Sequence, residues 1–204
     1  NKALELSLFL SLPASVALLI GSEEITSALF GYGSFDEASV INSGKALYYF
    51  ALGLPAFSLI KVFSSFFFAN QDTKTPFYIS LISVILNIII SVYYFSEIGF
   101  IIIPIATSIS SWFNSLLLFI LLKNRNLFNF NKIFVVRFVK IIIVSLLMGL
   151  FFNYLLIYFE ERLAFDQNIK SFYLIISVLL GLLFYLFISY LIKAFKISDI
   201  KLKY

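Results

Sequence analysis

Apolar residues collect in six runs, at 6–22, 46–70, 75–96, 98–122, 141–159 and 171–192, and polar residues collect between them. The hydrocarbon core of a bilayer, about 30 Å thick, takes roughly 20 residues of helix, so runs of this length predict membrane-spanning helices. The pattern predicts an all-α fold, a polytopic membrane helix bundle with six transmembrane helices. The second, third and fourth runs are joined by connectors so short that they must pack as antiparallel neighbours. A soluble fold is excluded because six such runs in 204 residues leave too little polar surface to solvate a globule.

Charge orients the bundle. If alternate connectors share a side, Lys45, Arg162 and Lys170 fall on one side and the other twelve of the 15 basic residues fall on the opposite side. Excess lysine and arginine stays in the cytoplasm, which predicts that both termini are cytoplasmic. The same reading divides the chain into a four-helix part at 1–122, a basic cytoplasmic linker at 123–140, and a two-helix, lipid-facing pair with a basic tail at 141–204. Asn1 is not an initiator methionine, and the first run lacks the cleavage site of a signal peptide, so the chain is expected to be the C-terminal piece of a longer protein.

Composition narrows the chemistry. The chain is 61% hydrophobic and 13% charged, and it contains neither cysteine nor histidine. Thiolate and imidazole chemistry, disulfides and the common zinc ligand sets are thereby removed, and no cofactor or metal is expected. The net charge of +4 does not imply nucleic acid, because the basic residues flank apolar runs, where they meet lipid headgroups. The carboxylate pairs Glu23 and Glu24, Asp36 and Glu37, and Glu160 and Glu161 sit in outer connectors without a nucleophile or metal spacing, so they are expected to be solvated loop ends.

Candidate functional residues fall in two groups. The first is the hinge between the second and third runs, with Gln71, Asp72, Lys74, Thr75 and Pro76. Here Thr75 is predicted to cap the following helix and Pro76 to open it. The second is the polar content of the spans. Lys61 is the one charge deep within a run, at a cost of about 2.5–3.5 kcal/mol that the surrounding apolar residues offset. It either snorkels to headgroups or faces a hydrated cavity that attracts an anion. Ser80, Ser83, Asn87 and Ser91 form a stripe on the third helix, and Thr107, Ser111 and Asn114 form one on the fourth. Such stripes line a cavity or satisfy each other across an interface, and Asn87 and Asn114 are the candidates for a substrate path. In the last two helices the narrow stripes Ser145, Gly149, Asn153 and Ser177, Gly181, Ser189 predict the packed faces. Pro13, Pro55 and Pro104 are expected to interrupt three helices.

The hinge segment 67–76, preceded by Lys61, then Tyr32 to Phe35 after the first run, and Asn114, together resemble the C-terminal part of the MurJ/MviN family of bacterial lipid II flippases, within the larger superfamily of polysaccharide and multidrug exporters. The resemblance implies that the six helices are the last six of fourteen. The first four would complete the second transport lobe, and the last two would be an appended pair receiving a lipid tail. It implies a transporter rather than an enzyme, in the bacterial inner membrane. By alternating access it would carry a lipid-linked oligosaccharide, the peptidoglycan precursor, between leaflets, with membrane lipids and the upstream helices of the same protein as partners. Within that scheme Lys61 is expected to assist the headgroup path, and Asp72 with Lys74 to stabilise the cytoplasmic hinge between helices. Another exporter of the superfamily and a membrane enzyme on lipid-linked sugars remain as alternatives, distinguishable by whether upstream sequence encodes more spans or a soluble catalytic domain.

Overall fold

The computed structural model describes residues 2–129 and 131–194, and most of them are helical. In chain order the helices are α1 (Lys2–Ile20), α2 (Ser22–Phe30), α3 (Glu37–Ala69), α4 (Lys74–Ile98), α5 (Ile102–Asn124), α6 (Lys132–Tyr158), α7 (Glu160–Leu163) and α8 (Lys170–Ile192), with a 3-10 turn at Gly99–Ile101 between α4 and α5. By length and hydropathy five stretches suffice to cross a membrane, and one of these, Lys74–Asn124, holds both α4 and α5. The part of the predicted basic tail beyond Ala194 lies outside the described residues.

Helix ends depart from the apolar runs where polar residues continue a helix. α3 starts nine residues before the second run, after Asp36, whose carboxylate accepts the Ser39 N–H at 2.8 Å and so caps the first turn. α6 likewise starts at Lys132, so the second half of the predicted linker is its opening turns. The short α2, with Glu23 and Glu24 in its first turn, fills a stretch expected to be a connector. Pro13 and Pro55 lie inside helices, but Pro104 is the third residue of α5, where its missing N–H has no intrahelical partner to lose. The expectation of a third interrupted helix is corrected accordingly.

Two compact units divide the chain. One comprises the start of the chain up to Ser11 with Tyr49–Val135, and the other comprises Leu12–Tyr48 with the residues from Val136 onward. In the first unit α4 and α5 run antiparallel, tied by Asn87 Nδ2 to Thr107 Oγ1 at 3.0 Å and by Asn114 Nδ2 to Ser80 Oγ at 3.4 Å. α5 also donates to α3 around Pro55, from Ser108 Oγ to the Tyr49 carbonyl at 2.5 Å and from Trp112 Nε1 to the Leu52 carbonyl at 3.0 Å. Side chains of a neighbouring helix are a standard means of serving backbone groups near a proline inside a membrane. Gly53 permits the approach, since a Cβ there would meet Ser108 Oγ at 2.8 Å. Ser58 bonds Ser11 across α3 and α1 at 3.0 Å.

In the second unit the predicted small-residue stripes face inward. Ser145, Ser177, Gly181 and Ser189 are buried, and Gly149 rests on Val16 and Ile20 of α1. Asn153 is exposed and is not part of the buried stripe. α6 and α8 meet through stacked Phe151 and Phe184, with ring centroids 4.5 Å apart, and Lys140 Nζ reaches the last carbonyl of α8, Ile192, at 2.9 Å.

Candidate functional site

The hinge is built by two helix ends. α3 stops because Gln71 takes a left-handed conformation (φ 58°), letting its N–H reach the Phe68 carbonyl and the Asp72 N–H reach the Phe67 carbonyl, each at 3.0 Å. This paired closure satisfies the carbonyls that a helix end otherwise leaves open. Asp72 then opens α4. Its Oδ1 accepts the Thr75 N–H at 2.9 Å and its Oδ2 accepts the Thr75 hydroxyl at 2.6 Å. Thr75 was the expected cap, but it lies inside the first turn and donates to the cap, which is Asp72. The longer reach of a carboxylate serves both of its donors. Pro76 is the buried third residue of α4.

Arg125, just past the end of α5, completes this site. Nη1 donates to Asp72 Oδ2 at 2.6 Å, Nη2 donates to Thr75 Oγ1 at 3.1 Å, and the guanidinium lies 5.5 Å from the Phe67 ring centre. The Thr75 hydroxyl and N–H, and then Arg125, hold the Asp72 carboxyl well below its ordinary value. Lys74, expected to stabilise the hinge with Asp72, is exposed, and Asp72 takes Arg125 as its ionic partner. Sequence reasoning missed Arg125 in this role. The signal for it was the tight connection between the third and fourth runs, which brings the start of one helix beside the end of the next.

A second feature lies between α3, α4 and α5. Asn87 and Asn114 line a single cavity of about 290 Å³ with Ser80, Ser83, Thr107 and Ser110, walled by Phe57, Ile60 and Val84. Its polar groups are only partly satisfied, since Asn114 Oδ1 and Ser110 Oγ are buried without a hydrogen-bond partner. Lys61 is exposed and follows the lining residue Ile60 on α3, but it is not itself part of the lining. Of the three residues predicted for a substrate path, the structure therefore brings Asn87 and Asn114 together and leaves Lys61 beside them.

Long apolar helices, polar oxygens gathered in a cavity between them, and charged clamps at helix ends define a multi-pass helical membrane protein. Residues 1–179 match the family model described as lipid II flippase MurJ, and the chain belongs to that family. A probable lipid II flippase MurJ of Rickettsia prowazekii (strain Madrid E) is 32% identical over 194 residues, covering 95% of this chain and 38% of the relative. One of Rhizobium meliloti (strain 1021) is 38% identical over 149 residues, covering 73% of this chain and 28% of the relative. A solved structure titled lipid II flippase MurJ, inward closed conformation, superposes with a TM-score of 0.77 at 29% identity, covering 94% of this chain and 38% of the other. The chain thus spans under two fifths of the length of these relatives.

Proposed function

We propose that this chain forms part of a transporter that flips lipid II across the bacterial inner membrane by alternating access, and that it is not an enzyme. The observation that carries this reading is the likeness to a lipid II flippase along nearly the whole chain, in sequence and in fold. Membrane lipids, the lipid-linked oligosaccharide and the upstream helices of the full-length protein are its partners, and nucleic acid is not. The chain crosses the bilayer six times with both ends in the cytoplasm, because the long helices α1, α3, α4, α5, α6 and α8 separate connectors of alternating charge. Residues 1–122 belong to the second transport lobe, 123–140 to a cytoplasmic linker that runs into α6, and 141–204 to the appended pair.

Within this scheme the cavity of Asn87 and Asn114 offers unpaired oxygens to donors of a sugar headgroup, and Lys61 supplies positive charge for its pyrophosphate. Gln71, Asp72, Lys74, Thr75 and Pro76 form the cytoplasmic hinge. Complementation of a flippase-depleted strain by full-length protein tests the path. Lys61→Ala and Asn114→Leu should each reduce growth at normal protein abundance. Full growth of both variants would remove these residues from the path.

A further inference from the structure

In the second unit, α2, α3, α6 and α7 surround a separate cavity of about 360 Å³. Glu23 and Glu24 of α2, Glu37 of α3 and Glu160 of α7 line it, together with the apolar walls Val40, Ile41, Leu156, Leu163 and Phe165. The carboxylates alone would be a solvated cluster. Ser27 adds an independent observation, because it lines the same cavity, is only 7% exposed, and its hydroxyl has no hydrogen-bond partner. Positions 23, 24 and 27 share one helix face, with Ser27 one turn beyond the two glutamates.

Among the described residues no basic side chain lines the cavity. Lys45 on α3 and Arg162 on α7 are exposed and are not among its lining residues. The ammonium of Lys170 contacts Phe165 but is already held by the carbonyls of Gly31 and Phe165, each at 2.7 Å, and by the rings of Tyr32 and Phe165 at 4.5 Å. Among the described residues the negative charge here therefore lacks an internal counter-ion. Among the described residues no group of three or more acidic side chains is placed to hold a metal ion. Burial, and also the neighbouring Glu23, push the Glu24 carboxyl up, against its backbone hydrogen bond.

We infer that this cavity binds an organic ammonium, a protonated primary amine on an apolar frame, with its N–H groups on Glu24, Glu160 and Ser27 and its carbon chain against Ile41 and Phe165. A charged N–H donor satisfies the carboxylates and the buried hydroxyl together, while a hydrated inorganic ion leaves the apolar wall uncovered. The assignment does not rest on the transport reading. The amine comes either from a soluble diamine or from an aminophospholipid headgroup.

The test uses the purified full-length protein and follows thermal unfolding with 1,5-diaminopentane, with NaCl and MgCl2 at matched ionic strength as references. The diamine should raise the midpoint saturably and the salts should not. Glu24→Gln with Glu160→Gln should weaken the apparent affinity about tenfold or more, the loss expected for charge-assisted hydrogen bonds. A second variant guards against misfolding. Ile41→Lys, at a partly exposed wall position, supplies an internal ammonium, so it should raise the midpoint without ligand and abolish the response to diamine. Protein in phosphatidylethanolamine nanodiscs that no longer responds to diamine, while protein in phosphatidylcholine nanodiscs still does, identifies the headgroup as the source. A response in both identifies the soluble amine. Equal stabilisation by NaCl or MgCl2, or an undiminished response in both variants, overturns the site.

Discussion

At the scale of single residues, the clearest device is the Asp72 carboxylate, which serves two donors of Thr75 and the Arg125 guanidinium at once. Because its folded pKa is depressed, its contribution is complete above the unfolded value of about 3.9 and is lost as pH falls through the lower folded value. Asp72→Asn should therefore lower the unfolding midpoint at pH 7, and the gap from the parent protein should close as the medium is acidified below about pH 4. Arg125→Gln should show the same trend with a smaller gap, since Thr75 remains as a partner. Midpoints recorded between pH 3 and 8 check both, and a gap independent of pH would mean that Asp72 acts by packing. The polar character of this hinge was legible in the sequence, but the identity of the cap was not. Thr75 and Asp72 are both good capping residues, and only folded geometry shows which one accepts.

At the scale of elements, apolar runs located the long helices because lipid exposure demands them, and the run 171–192 nearly coincides with α8. They located the ends poorly where a helix continues into polar sequence, as in the first turns of α3, or where a short helix is too polar to register, as in α2. The short connector from α4 to α5 has a specific requirement that its length does not reveal. Gly99 sits at φ 73°, ψ −154°, a region essentially closed to side chains, although there is open space around the position of its missing Cβ. Gly99→Ala therefore meets no neighbour and isolates backbone strain, of about 1–3 kcal/mol. The strain should separate α4 from α5 at the bonds Asn87–Thr107 and Asn114–Ser80, and unfolding of the purified protein should shift by that amount. An unchanged midpoint would show that the turn relaxes to another conformation.

At the scale of the whole molecule, orientation depends on how lysine and arginine alternate between connectors, a property that no single helix carries. The alternation gives a prediction independent of any relative. It predicts that Asp36 and Glu37 fall in an outer connector and that Asn126, beside the Arg125 clamp, falls in an inner one. This chain contains no cysteine, so a cysteine introduced at either place is the only thiol it contributes. In intact inner-membrane spheroplasts a charged, membrane-impermeant maleimide should label Glu37→Cys immediately and Asn126→Cys only after the membrane is opened. Asn126 is exposed, so steric access is not limiting there. The polar cavity lies between α3, α4 and α5, with α4 and α5 antiparallel along it. Labelling of both positions from one side would require that a helix between them fails to cross. The six-crossing arrangement would then fall, and with it the placement of Lys61, Asn87 and Asn114 along a path between leaflets.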